Sequence, residues 1–465
     1  MQHNPPAVWH ICLFVFCLTL ALTAGRGLVR FRHVLGATGQ QFIDLNHYDA
    51  LVHVTIAQRI LNGRGYTLPR DDRDGPPGES EPAFGKAPGY EYFLAGLFRI
   101  TGICFSFFPV QCLIGGCLSV LVVLISAETF GGPLAALFAG VGAAVHPVLV
   151  NAASQLYNEN IYFCLLFLCI WVYMRWLRTP SLGLALACGC CAGVTALVRE
   201  SILVPFAALI LWTVVSAWHK NRLAASGSAI AMAIGLTAIV MPWTIRNYLT
   251  SGELVPISTA SLFLVGAGNN SCVAAEGWGT PFYGDDPCAS LDAQQAALLA
   301  SWNKGTQIVY RSRADAALGW SYILGHPGQY LKLSVRRAWT MFDPWHPRQH
   351  LRGWEKWAML LYFLVFIAPG VVGAAWVAMR GAPSQAKALY VLLLASYAPL
   401  VAVFISHDHR FAVGIHLLLG CFAGAWLAHF PFARGVFRAS KLGAQKPRHL
   451  EHAAGHIRSA LLVQC

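Results

Sequence analysis

The sequence predicts an all-α polytopic membrane protein with about ten transmembrane helices, a helical first outer loop and one long outer loop. Of its 465 residues, 56% are hydrophobic and only 12% are charged, and a soluble domain usually carries about twice that charged fraction. Apolar stretches long enough to cross about 30 Å of hydrocarbon recur along the chain. Runs such as CLLFLCIWVYMRW and LVPFAALILWTVV lack the alternation that a closed β-barrel requires.

The apolar stretches define the candidate spans. In order they are Ala7–Gly25, Phe105–Ala127, Pro133–Val150, Ile161–Trp176, Leu182–Val198, Ile202–Trp218, Ala224–Trp243, Trp357–Met379, Ala388–Ser406 and Phe411–Phe430. The first follows a tail without Lys or Arg, which favours a retained anchor over a cleaved signal peptide. The apolar segment Pro88–Ile100 is too short to span and is predicted to be a half-inserted or interfacial helix.

These spans divide the chain into six regions. They are a first transmembrane helix (1–25), a catalytic loop with juxtamembrane helices (26–104, the first loop), transmembrane helices 2–7 (105–245), a loop or lid (246–356, the long loop), transmembrane helices 8–10 (357–430) and a basic cytoplasmic tail (431–465). A connector is rarely longer than roughly 15 residues, so the long loop is predicted to be a lid or small domain.

The distribution of basic residues predicts the orientation. The net charge is +12, and the cations flank the spans, where they face lipid headgroups. No basic run with interleaved aromatic residues indicates a nucleic-acid surface. Short loops richest in Lys and Arg are expected to be cytoplasmic; the turn near Glu128 departs from this rule. The bias predicts that the first loop, Arg199, the long loop and Arg410 share the outer face.

Two carboxylates in the first loop are candidates for chemistry. Asp44 and Asp49 lie at the start of an amphipathic helix whose apolar stripe includes Tyr48 and which Gly63 ends. Either carboxylate can cap the helix or interact with its dipole. Either can equally take a proton from an acceptor hydroxyl. The sequence leaves both interpretations open, and they are compatible because a helix start holds a carboxylate rigidly.

Four cations are predicted to lie at the same membrane surface, which is an arrangement suited to an anion. They are Lys86, Arg199, Arg246 and Arg410. Taken singly, each also has an ordinary structural explanation: Lys86 can reach lipid headgroups, and Glu200 is a candidate partner for Arg199. Glu159 is predicted at the same surface, where it orients a substrate hydroxyl or pairs with one of the arginines.

No metal site is predicted. The acidic run between Asp71 and Glu81 is interrupted by Gly and Pro, which favours a solvated loop. His407-Asp408-His409 offers adjacent ligands only, which is weak evidence for a metal. Cys272 and Cys288 lie in one polar loop on the predicted oxidising side, so a disulfide and two free thiols remain equal alternatives.

Several motifs in order resemble the GT-C membrane glycosyltransferases, in particular protein O-mannosyltransferases and lipid A aminoarabinose transferases. Along the chain these motifs are Asp44-x-x-x-Tyr48-Asp49, ILNGRGY, AFGKAPGYEYFLAGLFRITG, NEN, LVRES, PWTIRNYLTSGELVPIST with GAGNN, and HRFAV. Three departures stand out. Ala87 replaces the family's first proline, Phe411 replaces its usual tyrosine, and the two carboxylates are separated where the family often has adjacent ones.

The resemblance implies sugar transfer, with inversion, from a polyprenyl-phosphate donor to a hydroxyl of a lipid, glycan or protein at the outer face. It implies contact with membrane lipid and involves no nucleic acid, no cofactor and no metal. A bacterial inner membrane is the expected location. The implied roles are base for Asp44, with Asp49 as the alternative; phosphate binding for Lys86, Arg199, Arg246 and Arg410; and substrate binding for Tyr48, Tyr90, Glu159 and His409.

Three other functions remain. A transporter of a lipid or an anionic solute should show repeats or polar breaks at mid-membrane, and the sequence shows neither. A polymerase or ligase that uses a lipid-linked oligosaccharide would have a similar topology and stays an alternative, although the motif order argues against it. An inactive partner subunit would have little reason to keep both Asp44 and Lys86.

Overall fold

The computed structural model describes residues 5–31, 48–69, 80–102, 106–217, 221–271, 273, 289–301, 308–340, 342–343, 345, 353–402 and 409–429. The described residues are almost entirely helical. In chain order the helices are α1 Pro5–Phe31, α2 Tyr48–Leu61, α3 Pro88–Thr101, α4 Phe107–Phe130, α5 Pro133–Ala144, α6 Pro147–Ala152, α7 Glu159–Arg178, α8 Leu182–Val198, α9 Leu203–Ala217, α10 Arg222–Ser251, α11 Ala260–Gly268, α12 Ala289–Ser301, α13 Ile308–Gly325, α14 Pro327–Thr340, α15 Trp354–Tyr362, α16 Ala368–Met379, α17 Ser384–Ala402 and α18 Val413–Leu427. A π-helical turn, Phe363–Ile367, joins α15 to α16.

Six helical segments among the described residues are long and apolar enough to cross a membrane, which confirms the predicted fold class. They are Ala7–Phe31, Phe107–Phe130, Glu159–Arg178, Arg222–Ser251, Trp354–Met379 and Arg410–Leu427. Three other predicted spans correspond to the shorter apolar helices α5, α8 and α9. The predicted span Ala388–Ser406 corresponds to α17 as far as it is described. The chain is therefore an integral membrane protein.

The predicted span Pro133–Val150 is interrupted where α5 ends at Ala144 and α6 begins at Pro147. Proline has no N–H to donate and disfavours helical backbone in the residue before it. His146 accordingly adopts an extended conformation, with ψ of 115°. Its buried ring lies 3.2 Å from that of His416 in α18, measured from Nε2 to Nδ1, so the break is packed against the last helix.

Small residues allow close contact between helices α8 and α10. A Cβ on Gly189 would lie 2.1 Å from the carbonyl oxygen of Met232, and one on Gly235 would lie 2.5 Å from that of Leu186. Backbones approach this closely only where side chains are absent, as in many membrane helix pairs. This packing fixes the two helices whose ends carry Arg199 and Arg246.

The first loop contains α2 and a two-stranded hairpin that the sequence did not predict. Helix α2 ends at Leu61, and Gly63 and Gly65 follow with φ of 73° and 69°, a conformation that favours glycine. The chain then forms antiparallel strands β1 (Thr67–Pro69) and β2 (Ser80–Pro82), with Thr67 opposite Pro82. The predicted end of α2 near Gly63 is confirmed.

In the long loop, α11 packs closely on α13. A Cβ on Gly266 would lie 2.2 Å from the carbonyl oxygen of Asp315. The buried Arg337 of α14 donates to Asn269 Oδ1 at 3.2 Å and to the Gly268 carbonyl, and burial lowers the pKa of Arg337 to about 10. The predicted helix from Leu291 to Leu324 is described as α12 and α13, with residues 302–307 outside the described part.

The opposite end of the bundle explains the turn that departed from the charge rule. Glu128, near the end of α4, lies 3.4 Å from Arg175 Nη1 at the end of α7. Its carbonyl oxygen also accepts a hydrogen bond from Arg178. Arg178 Nε also lies 4.0 Å from Glu128 Oε2, so two of the basic residues that the charge rule counts compensate the acidic side chain.

Candidate active site

Two of the predicted cations share one carboxylate. Glu159, the first residue of α7, lies 3.5 Å from Arg199 Nη1 and 3.8 Å from Arg410 Nη1, with Oε1 as the shared atom. Arg199 follows the last residue of α8, and Arg410 lies in the short turn before α18. The Glu159 side chain is only 5% exposed, against 18% and 17% for the arginines. These three residues form the Glu159 cluster.

Aromatic rings cover the guanidinium groups of the Glu159 cluster. Arg199 lies 4.6 Å from the ring centre of Phe411 and 5.6 Å from that of Tyr162. Arg410 lies 4.6 Å from the ring centre of Tyr157. Cation–π attraction needs only the face of the ring, so the replacement of the family's tyrosine by Phe411 preserves this contact.

Glu200 is not the partner of Arg199, although it is adjacent in sequence. Its Oε2 accepts a hydrogen bond from Ser258 Oγ at 3.0 Å, and its Oε1 accepts one from the Ser261 backbone N–H at 2.8 Å. The carboxylate therefore ties the end of α8 to the start of the long loop. The extended backbone of Arg199 directs its side chain to Glu159 instead.

Arg246, near the end of α10, lies in a different environment. It donates from Nη2 to the Tyr66 carbonyl and from Nη1 to Asn247 Oδ1, each at 3.0 Å. Its guanidinium carbon lies 4.8 Å from the ring centre of Trp243 and 5.4 Å from that of Phe84. Within the described part of the chain, Arg246 has no carboxylate partner.

Tyr66 connects Arg246 with Lys86. While its carbonyl accepts from Arg246, its hydroxyl donates to the Lys86 carbonyl at 3.1 Å. Burial, and then the nearby Glu91 carboxylate, raise the pKa of Tyr66 well above its ordinary value, so the hydroxyl keeps its proton. Lys86 is partly buried, two residues before the first residue of α3. Lys86, Tyr66 and Arg246 form the Arg246 cluster.

A buried pair near the Arg246 cluster was not predicted. His53 Nδ1 of α2 lies 2.8 Å from Glu91 Oε1 of α3, and their side chains are 5% and 0% exposed. The His53 ring also makes a T-shaped contact with Tyr90 at a centroid distance of 4.9 Å. The one sequence signal was a carboxylate inside the apolar segment that leads into the second span, a position where ionisable groups are costly.

The start of α3 joins the two clusters. A Cβ on Gly89 would lie 2.8 Å from the Leu197 carbonyl oxygen, so α3 begins directly against the end of α8 beside Arg199. The next residue, Tyr90, is fully buried, and its hydroxyl accepts a hydrogen bond from Gln111 Nε2 at 3.2 Å. Gln111 also donates to the Tyr157 carbonyl at 3.0 Å, two residues before Glu159.

Several predicted site residues are described in part or lie outside the described residues. Asp44, Cys272 and Cys288 lie outside, so the base and the disulfide stay predictions. Tyr48 and Asp49 are the first two residues of α2, and His409 begins the turn before α18; only their backbones are described. Among described residues no group of three or more His, Cys, Asp or Glu is arranged to hold a metal ion.

Comparison with known proteins identifies the fold. The sequence model of the dolichyl-phosphate-mannose-protein mannosyltransferase family matches residues 85–245, which include Lys86, Glu159 and Arg199. A search of curated proteins gives no match.

Two solved structures share the architecture. The oligosaccharyltransferase AglB from Archaeoglobus fulgidus, in complex with an inhibitory peptide and a dolichol-phosphate, matches 94% of this chain with a TM-score of 0.57 and 14% identity. The oligosaccharyltransferase of the same organism tethered to an acceptor peptide matches 95% with a TM-score of 0.51 and 16% identity. The chain covers 52% and 53% of their lengths, about half.

ArnT from Cupriavidus metallidurans bound to undecaprenyl phosphate also matches, with 14% identity over 88% of this chain and 77% of ArnT. The TM-score of this match is 0.39. The fold of the GT-C membrane glycosyltransferases, which the motifs predicted, is confirmed by the family match and the two oligosaccharyltransferase structures.

Proposed function

From the GT-C fold and the two clusters, we propose that this chain is an inverting glycosyltransferase. It moves a sugar from a polyprenyl-phosphate donor to an acceptor hydroxyl at the outer face of the membrane. The family match is to mannosyltransferases that use dolichyl-phosphate-mannose, and one matching structure holds a dolichol-phosphate. Both are consistent with a donor whose leaving group is a lipid phosphate.

The observation that carries the proposal is that Arg246 has no carboxylate partner within the described part of the chain. Removing a guanidinium from water costs free energy that a carboxylate usually compensates. Arg246 is partly buried and has no such partner among the described residues, although carbonyl oxygens and aromatic faces hold it in position. A phosphate is a suitable anion, because a fixed guanidinium offers several donors to its oxygens.

The proposed reaction uses groups on both sides of the scissile bond. Asp44, or Asp49 in its place, takes the proton of the acceptor hydroxyl. The acceptor oxygen then bonds to the anomeric carbon from the face opposite the donor phosphate, and the bond from that carbon to the phosphate oxygen breaks. Lys86 and Arg246 stabilise the charge that develops on the departing polyprenyl phosphate, as preorganised cations do in other transfers.

The Glu159 cluster is suited to the sugar or the acceptor. Glu159 Oε1 contacts both arginines, whereas its buried Oε2 has no hydrogen-bond partner among the described residues. A buried carboxylate oxygen without a partner is costly, and a substrate hydroxyl that donates to it removes this cost. We assign Glu159 to a substrate hydroxyl, with Arg199 and Arg410 holding the carboxylate in place.

The test measures transfer from labelled donors. Purified protein in nanodiscs is incubated with polyprenyl-phosphate monosaccharides, and Asp44→Asn, Asp49→Asn and Lys86→Ala are compared with the wild type. Transfer is expected from the wild type, with a loss of about 100-fold or more in one carboxylate variant and in Lys86→Ala. If the wild type transfers from no such donor, or the variants all match its rate, the proposal is wrong.

The same assay includes a second candidate. The two solved structures with TM-scores above 0.5 reported above are oligosaccharyltransferases, which favours a polyprenyl-linked oligosaccharide as an alternative donor. A parallel reaction with such a donor shows which one is used. If only the oligosaccharide is transferred, the proposed site stands, and the proposed donor becomes a polyprenyl-linked oligosaccharide.

A further inference from the structure

The His53–Glu91 pair joins two helices through buried polar atoms. The residues are 38 positions apart, one in α2 and one in α3, and the Nδ1–Oε1 distance is 2.8 Å. Apolar side chains of similar volume often replace a buried ion pair without loss of stability. The proposed transfer chemistry assigns no role to either residue. The pair is therefore better suited to fixing a geometry than to adding stability.

The α2 side of the pair leads to the predicted base. Asp49 precedes His53 by one helical turn, and α2 begins at Tyr48, four positions after Asp44. A shift or rotation of α2 at His53 would therefore move the helix start that contains Asp49.

The α3 side leads to the cations. Glu91 lies in the first turn of α3, and Lys86 precedes that helix by two positions. The Glu91 carboxylate also faces Tyr66, whose pKa is raised first by burial and then by this charge. Tyr66 in turn contacts the main chain of Lys86 and the guanidinium of Arg246. Glu91 thus bonds to His53 of α2 on one side. On the other side, α3 packs on Tyr66 of the Arg246 cluster through the stacked rings of Tyr66 and Tyr92, whose centres are 6.0 Å apart.

We propose that His53 and Glu91 are positioning residues, which hold the start of α2, where Asp49 lies, at a fixed distance from Lys86 and Arg246. This inference rests on the proposed function. A misplacement of about 1 Å between reacting groups costs about 100-fold in rate. Breaking the pair should therefore lower kcat, whereas binding of the donor, which depends on the cations themselves, should change little.

Three variants separate positioning from packing. Glu91→Gln keeps an oxygen that accepts from His53 Nδ1–H and should retain turnover within about threefold of the wild type. Glu91→Ala removes the acceptor and should lower kcat about 100-fold, with less than a threefold change in KM for the polyprenyl-phosphate donor. The double variant His53→Phe with Glu91→Met fills the same space with apolar side chains. It should keep the wild-type Tm and still lose turnover.

A second measurement requires no donor. Amide hydrogen exchange of the full chain in nanodiscs should show faster exchange of residues 50–61 in Glu91→Ala than in the wild type and in Glu91→Gln. Thr213→Val is the matched control, because it removes the buried Tyr173–Thr213 hydrogen bond of 2.9 Å between α7 and α9. That variant should leave exchange in α2 unchanged.

The two measurements distinguish the inference from the proposed function. Wild-type turnover in the apolar double variant, or unchanged α2 exchange in Glu91→Ala, overturns the positioning role. If the wild type transfers from no polyprenyl-phosphate donor, the proposed function fails instead, and the exchange data alone show whether the pair couples α2 to α3.

Discussion

The Glu159 cluster and the Arg246 cluster contain the same kind of cation in opposite electrostatic settings. Arg199 and Arg410 share a carboxylate at 3.5 and 3.8 Å. Arg246 is held by the Tyr66 carbonyl and by aromatic rings, with no carboxylate partner among the described residues. Aromatic faces cover the guanidinium groups in both clusters.

The difference indicates which of the two arginine environments is better suited to an anionic ligand. The carboxylate of the Glu159 cluster already compensates the desolvation of its arginines, so their positive charge is largely neutralised within the protein. Carbonyl and aromatic contacts orient Arg246 but do not neutralise it. A phosphate is therefore expected to bind the Arg246 cluster more strongly than the Glu159 cluster, and mutations in the two clusters should have different signatures.

The largest effect is expected for Arg246→Gln. Loss of one preorganised charge at a departing phosphate should reduce transfer by about 100- to 1,000-fold. The Tm should fall only modestly, through the lost hydrogen bond to the Tyr66 carbonyl, because no carboxylate loses its partner. Steady-state kinetics and thermal unfolding measure the two effects. Arg199→Gln is the matched comparison and should lower the Tm more than Arg246→Gln does. A larger Tm loss in Arg246→Gln than in Arg199→Gln would contradict the assigned difference between the clusters.

A smaller effect, on stability, is expected for Glu159→Gln. Both arginines then lose their shared partner, and we expect a cost of about 3 kcal/mol in unfolding free energy, the low end for buried pairs because the arginines keep some contact with water. The double variant Glu159→Gln with Arg199→Gln should lose less than the sum of the single variants. Additive losses, measured by chemical unfolding, would show that the contacts are not coupled.

The contact between α3 and α8, through which the two clusters are joined, is tested at Gly89. Leucine at this position meets the Leu197 carbonyl, where even a Cβ would be 2.8 Å away, so α3 should shift from α8 at a cost of about 2 kcal/mol. The rate of sugar transfer should fall as well, because α3 carries the residues that join the two clusters. Gly96→Leu in the same helix is the control, because its Cβ would have no atom within 4 Å. Equal behaviour of the two variants would argue against a close α3–α8 contact.

The smallest effect is expected for Tyr66→Phe. Loss of the hydrogen bond to the Lys86 carbonyl should cost about 1 kcal/mol at neutral pH. Because the pKa of folded Tyr66 is raised, its stabilising effect is complete below the unfolded pKa of about 10 and is lost as the pH rises towards the folded value. When unfolding is measured from about pH 8 to pH 11, the unfolding free energies of the wild type and of Tyr66→Phe should therefore converge above about pH 10. A constant difference across that range would contradict the assigned environment of Tyr66.

Features that depend on local sequence were predicted well. The apolar stretches predicted the helices, and Gly63 predicted the end of α2, because helix length and left-handed backbone are encoded by neighbouring residues. The motif order predicted the GT-C fold. Pairing of Glu159 with an arginine was one of two predicted alternatives, and the structure contains it.

Contacts between distant residues were predicted poorly. Glu200 was a candidate partner for Arg199 because it is adjacent, yet it bonds to Ser258 and Ser261. The hairpin β1–β2 and the His53–Glu91 pair were missed. Adjacency does not determine pairing, since an extended residue directs its side chain away from the next one.

The sequence by itself determined that this chain is a helical membrane protein, because the amount of apolar surface and its span lengths leave few other ways to satisfy the backbone in lipid. It also indicated that the candidate cations share one side, because successive spans reverse direction. Only the tertiary structure decided which cation is neutralised and which is not. That outcome depends on where the ends of separate helices meet, and positions far apart in the chain come within a few ångströms only after packing.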